Sequence, residues 1–322
     1  MDGSCNHGVV AKDHRPHFYQ GFVARRMAIS VVIVSHNTRD LLMACLGALY
    51  SSQGIGQPLQ VIVVDNASQD GSVEAVRASF PEVEVIAKAE NLGFSKANNL
   101  GLKRSNGEYI LLLNPDTVVN PDVLRIMENY LSEHPEVGMV GCRLITADGK
   151  LDLACRRKFP SAWDGFCRAS GLSELFPQWR LFGGYNLQYL DENKTYPIDC
   201  VNGAFMFCRR EAVLKVGPMD EAFFMYAEDM DWCYRFKQAG WQVVYHPAAT
   251  TLHVKGASSN SRSNVMIREF FRSNELFYRK HYHNRAGLLG QFAVICGLRI
   301  WMIVTLMRNK LHKHKKARPW PA

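Results

Sequence analysis

From residue 29 onward, short runs of β-branched and aliphatic residues alternate with longer amphipathic stretches. Residues 29–34 read as a buried strand and 41–50 as the helix that follows it. The rhythm continues with strand 61–64, helix 72–79, strand 83–87, helix 95–104, strand 109–113 and helix 122–133. Strands of a few residues alternating with helices of about ten predict βαβ units, hence an α/β fold with a mostly parallel central sheet.

Polar residues gather where these strands end. Ser35-His36-Asn37 follows the first, Asp65-Asn66 the second, and Asn114-Pro115-Asp116 the fourth. Ligands of an open parallel sheet bind outside the carboxyl ends of its strands, so Ser35, Asn37, Asp65, Asn114 and Asp116 are candidates for one crevice. Ser35 and Asn66 suit a plain turn or cap equally well. Asn91-Leu92-Gly93 leads into a helix after the third strand. A glycine there lets a ligand approach the backbone, and a helix N-terminus favours anions, which adds Asn91, Gly93, Lys96 and Asn98.

The rhythm breaks over 151–197, a stretch rich in Trp, Phe, Tyr and Gly that reads as a loop over the site or an insert facing an acceptor. An apolar run at 200–208 and a helix-like 211–216 follow. The formal net charge is +8, but six basic residues without an acid fall in the last fifteen positions, leaving +2 for the rest. A body so nearly neutral predicts no nucleic-acid partner. Nine cysteines without a CxxC pair predict reduced thiols, and the spacing of Cys155, Cys167 and Cys200 matches no zinc site.

Two further features carry chemistry. Residues 219–232, MDEAFFMYAEDMDW, set acids on both sides of an aromatic run; a helix dipole accounts for one or two of them. A carboxylate against apolar surface can serve as a general base. His253 closes an apolar run and is a candidate metal ligand or a structural histidine.

Taken in order, 31–37 (VVIVSHN), 63–72 (VVDNASQDGS), 91–94 (NLGF), 112–116 (LLNPD) and 228–231 (EDMD) resemble the family 2 glycosyltransferases of the GT-A fold, and most of all their rhamnosyltransferase-like branch. The resemblance covers roughly 29–255. It implies an inverting single displacement that moves a sugar, rhamnose by branch, from a dTDP- or UDP-sugar to a hydroxyl of a saccharide. Galactofuranose, N-acetylglucosamine and glucose are the alternatives, and a non-catalytic nucleotide-sugar binder is the contrasting class. Asp65 would contact the nucleoside, and Asp116 with His253 the divalent cation, Mg²⁺ or Mn²⁺. Asp229 would be the base, with Gly203 and Ala204 lining the donor pocket. The family's usual DxD appears as Asn-Pro-Asp. One carboxylate is absent from it, which makes the cation dependent on the donor's diphosphate.

The ends are expected to lie outside the catalytic domain, placed at 27–255. Residues 1–26 read as a disordered extension, with Met27 as the natural start. Residues 286–307 are almost continuously apolar and long enough for a bilayer, which needs roughly 20 residues. Arg299 near the middle makes spanning cost about 2.5–3.5 kcal/mol. Gln291, Arg299, Thr305 and Asn309 fall on one side of a helix. That predicts a C-terminal segment, 256–322, whose amphipathic helix lies in the membrane interface, with Trp301 at headgroup level and a basic tail behind it. The alternative is a helix packed on the catalytic domain. An enzyme so placed would sit on the cytoplasmic inner face of the bacterial plasma membrane and suit a lipid-linked saccharide acceptor.

Overall fold

The computed structural model describes residues 28–52, 59–254, 263–283 and 287–316. The expectations for residues 1–26 and for the end of the basic tail lie outside them. The first half follows the expected alternation: β1 (Ile29–Ser35), α1 (Arg39–Tyr50), β2 (Gln60–Asn66), α2 (Ser72–Ser79), β3 (Glu84–Lys88), α3 (Phe94–Arg104) and β4 (Tyr109–Leu113). Then come β5 (Thr117–Val119), α4 (Val123–Glu133), β6 (Val137–Ile145), α5 (Ala162–Ser170), α6 (Leu172–Leu175), β7 (Tyr196–Pro197), β8 (Phe205–Arg209) and α7 (Arg210–Val216). The chain ends with α8 (Glu228–Gln238), β9 (Gln242–His253), α9 (Asn264–Tyr282) and α10 (Leu288–Lys316).

These strands form one sheet in the order β3-β2-β1-β4-β8-β6-β9-β5, with β7 paired to β9. β1 to β4, β6 and β9 run one way, whereas β5, β7 and β8 run against them. The sheet is thus mostly parallel. Its centre is apolar on both faces because helices cover both: β4 is buried along its length, and α1 presses Leu42, Cys45, Leu46 and Leu49 inward, a spacing of three and four that makes one helical face.

β6 has no counterpart in the expected pattern. Glycines at 138 and 141 break its apolar run, and packing explains them. A β-carbon at Gly138 would lie 2.8 Å from the Trp241 side chain, and one at Gly141 2.6 Å from that of Val201. The 200–208 run is strand only from Phe205, and its first half is a turn held by Asn202.

α9 packs directly on the sheet-bearing part of the chain. Phe277 joins the core, and Asp231 of α8 is held by Lys280 and His281 at 2.7 Å each. α10 lies on α9 through the polar side read from its sequence. Arg299 meets Glu275 at 3.2 Å, Asn309 meets Asn264 at 2.8 Å, and Gln291 donates to the His283 carbonyl. The Thr305 hydroxyl donates within its own helix. Trp301 packs edge-on against Phe271 with centroids 5.4 Å apart. With its polar side turned inward, α10 exposes Leu288, Leu289, Phe292, Ile300, Ile303, Met307 and Leu311.

Candidate active site

Direction of chain brings the candidates together. β1, β2 and β4 deliver their carboxyl ends to one edge, and β6 and β9 run the same way, so His253 ends there too. β8 enters from the opposite direction and contributes its beginning: the Ala204 carbonyl accepts the Asn114 N–H at 3.0 Å.

Around the carboxyl ends of β1, β2 and β3 most predicted side chains are bonded within the protein. The Ser35 hydroxyl is 2.9 Å from that of Thr38. Asn37, in the left-handed region at φ 53°, receives the Gln69 N–H on its side chain and gives its own N–H to Ser68. Asn91 Oδ1 accepts from Asn66 and from the Gly93 N–H at 2.8 and 2.9 Å. The Asn98 amide donates to its own helix at Phe94. Gly93 sits at φ 80°, and an added β-carbon would be 2.5 Å from the Phe224 ring. Close packing on Phe224 thus leaves no room for a side chain at this position. Three predicted groups remain open to a donor. Asp65 is buried and takes the Ser68 N–H on one oxygen, while the other has no partner. Asn114 is half-buried with no side-chain bond to a described residue, and Lys96 is exposed in the first turn of α3.

Asp116 and His253 face each other across a buried gap, Oδ1 to Nε2 at 3.6 Å. Asp152, which no sequence signal singled out, is 3.0 Å from the other ring nitrogen, Nδ1. Burial alone lowers the pKa of His253, but hydrogen bonds and charge from Asp116 and Asp152 outweigh it and push it up to about 9. One carboxylate oxygen and one imidazole nitrogen at this spacing suit a divalent cation, with Asp152 fixing the ring. Among the described residues no three such groups form a cage, so diphosphate oxygens would have to complete the shell.

The first turn of α8 holds three acids with three fates. Asp231 is fully buried among cations. Desolvation opposes its charge, yet His281, Lys280 and Arg235 bring it down to about 2. Asp229 is buried and bonded on both oxygens. Its Oδ2 accepts from the Arg157 guanidinium at 2.5 Å and the Gly203 N–H at 3.1 Å, and its Oδ1 from the Met230 N–H. Glu228 has one oxygen without a partner, and burial followed by the charge of Asp229 pushes it up to about 8. Tyr226 and Ala227, just before this turn, both lie at positive φ, backbone strain of a kind that gathers at functional sites.

Arg157 comes from the irregular stretch, where sequence offers no periodicity to aim it. A β-carbon at Gly203 would make only ordinary contacts, 3.6–3.8 Å, with Asp229 and Glu228. Cys155, Cys167 and Cys200 are buried free thiols.

Residues 30–217 match the profile described as "Glycosyl transferase family 2". The chain is a family 2 glycosyltransferase. This glycosyltransferase is 29% identical over 242 residues to the N-acetylglucosaminyl-diphospho-decaprenol L-rhamnosyltransferase of Mycobacterium tuberculosis, covering 72% of this chain and 77% of that one. It is 25% identical over 234 residues to the rhamnosyltransferase WbbL of Escherichia coli K12, covering 70% and 83%. The mannosyltransferase of Pyrobaculum calidifontis, solved with GDP-mannose and Mn²⁺, shares its fold with a TM-score of 0.55 at 19% identity, over 92% of this chain and 78% of that one. Staphylococcus aureus TarS residues 1–349, solved with UDP, gives 0.52 at 15%, over 77% and 65%.

Proposed function

We propose that this glycosyltransferase is an inverting rhamnosyltransferase that moves rhamnose from dTDP-rhamnose to a hydroxyl of a lipid-linked saccharide in bacterial surface polysaccharide synthesis. One observation carries the mechanism: Gly203 and Ala204, adjacent in sequence, bind Asp229 on one side and the Asn114 backbone on the other. The base and the diphosphate end are thereby held in one frame.

In this reading Asp65 receives the nucleoside, and Asn114 and Lys96 reach the donor. Ser35, Asn37, Asn91, Gly93 and Asn98 shape the loops around it. Asp116 and His253 would hold a divalent cation, which would supply positive charge at the diphosphate. Asp229 takes the acceptor proton as the acceptor oxygen attacks the anomeric carbon and the bond to the diphosphate breaks. Arg157 keeps the base aimed through its bond to Oδ2. The relatives named for rhamnosyl transfer support the donor, and the structural neighbours solved with other nucleotides keep UDP-sugars in the test.

The test is a thermal-shift series with dTDP-rhamnose, UDP-glucose, UDP-N-acetylglucosamine and UDP-galactofuranose, with and without Mg²⁺ or Mn²⁺. A true donor at a hundredfold excess over its dissociation constant stabilises the fold by about 2.7 kcal/mol. A flat response across the panel sinks the reading. The apolar side of α10, whose 288–311 portion is long and apolar enough to cross a bilayer, supports attachment to the cytoplasmic membrane surface. Its polar side is occupied by α9, so the apolar side is the one offered to lipid. Removing 286–322 is expected to release the protein from the membrane fraction, and retention there would overturn the attachment.

A further inference from the structure

A cavity of about 320 Å³ lies between α5, α9 and α10, apart from the donor crevice. That volume is at the lower end of ligand pockets, roughly 300–1,000 Å³. Ile267, Phe270, Phe271 and Trp301 give it an apolar wall, and among the described residues no acid lines it. Arg168, exposed, is the cation among its lining residues and forms no ion pair with a described residue. Tyr226 also lines it and packs edge-on against Phe270 with centroids 5.7 Å apart.

Tyr226 joins this cavity to the chemistry. It precedes Ala227 and the α8 turn of Glu228 and Asp229, and Ser273 of α9 donates to the neighbouring Met225 carbonyl at 2.9 Å. An occupant pressing on α9 therefore touches the turn that carries the base. So apolar a wall suits a hydrocarbon chain better than a saccharide, most of whose hydroxyls would lose water against it. A wall of this kind with a single cation and no acid suits an amphiphile with an anionic head. We propose that the cavity seats the first isoprenoid units of a lipid diphosphate acceptor, with the diphosphate at Arg168 and the saccharide directed past Tyr226 towards Asp229. This rests on the reading of a lipid-linked acceptor given above, and it adds where the lipid is held.

The experiment uses the full-length protein with excess dTDP and Mn²⁺ filling the donor site. The probe is a diazirine-bearing farnesyl diphosphate, with the labelled peptides mapped by mass spectrometry and diazirine-bearing farnesol as the chain-only control. Labelling is expected on the α9 and α10 residues of the cavity. Ile267→Phe and Thr305→Phe, which fill it, are each expected to reduce labelling about tenfold. Arg168→Ala should weaken the diphosphate probe about tenfold, as for loss of one charge contact, and leave farnesol unchanged. Labelling elsewhere, or labelling indifferent to both filling variants, overturns the proposal. Farnesol labelling as strongly as the diphosphate, with Arg168→Ala without effect, overturns it in favour of an ordinary membrane lipid chain.

A transfer assay separates this site from the reading it rests on. The filling variants should lose transfer to a lipid-linked saccharide and keep transfer to the same saccharide without its lipid. Equal loss on both acceptors overturns the lipid seat. Absence of transfer by the unaltered enzyme to any acceptor overturns the broader reading, whatever the labelling shows.

Discussion

The loops after β1, β2 and β3 and the first turn of α8 are equally crowded with polar side chains, but they are settled in opposite ways. In the loops, neutral amides and hydroxyls satisfy one another: Asn66 with Asn91, Asn37 with the Gln69 N–H, Ser35 with Thr38. In the α8 turn, charged groups are set against each other in a buried place. One carboxylate is pushed up to about 8 and another brought down to about 2 within four residues. A network of neutral groups fixes shape and responds little to pH. A cluster of buried acids keeps groups poised to gain or lose a proton, which is what proton transfer needs.

The most severe test of that contrast is Asp229→Asn. Removing a general base is expected to reduce the turnover rate by roughly 10²–10⁴-fold, with donor affinity nearly unchanged in a titration of the nucleotide-sugar. Loss of donor binding would place Asp229 on the donor side instead. Asp152→Ala should follow, weakening nucleotide-dependent Mn²⁺ binding by roughly 10–100-fold, as outer partners of metal-bound histidines do. Electron paramagnetic resonance of Mn²⁺ reads this without turnover. Unchanged affinity would leave Asp152 a merely structural partner of His253.

The two acids of α8 should give opposite pH slopes in denaturant unfolding. Asp231 is held below its ordinary value of 3.8, so it stabilises the fold above that pH by roughly 2 kcal/mol, and this is lost as the pH falls towards 2. Glu228 is raised from 4.5 to about 8, so the folded state keeps a proton that the unfolded chain releases. Stability from this group therefore declines as the pH rises through that interval. Glu228→Gln should abolish the decline between pH 4.5 and about 8 and leave the acid one. The smallest effect belongs to the loops: Asn91→Ala should cost about 1 kcal/mol at any pH, and a pH-dependent loss would remove the distinction.

Legibility in the sequence divides along similar lines. The β1 to β4 half reads directly, because each buried strand is a continuous apolar run and each helix puts its apolar residues at helical spacing. Beyond residue 133 the signal fades, since β6 carries glycines required by Trp241 and Val201, contacts far away in sequence. Asp65, Asp116, Asp229 and His253 were visible as candidates because each is a chemically suited residue at the end of a regular element. Asp152 and Arg157 were not. Their roles depend on partners 101 and 72 positions away, brought close by a stretch without periodicity. Asparagines look alike in sequence whether they face a ligand or each other, and only the structure shows Asn91 bonded to Asn66 and Asn98 to its own helix.

β8 carries a consequence for how the molecule assembles. It alone among the described strands joins β3-β2-β1-β4 to β6-β9-β5, so the sheet is two ribbons sharing one seam. The seam is synthesised late: Phe205 pairs with Leu113, across a loop of more than ninety residues whose closure lowers chain entropy before any contact repays it. The strand that closes the sheet also brings Gly203 and Ala204 to their places. Catalytic competence should therefore arrive in the same step as mechanical continuity, and a nascent chain that ends before the seam would hold half a nucleotide site and no base.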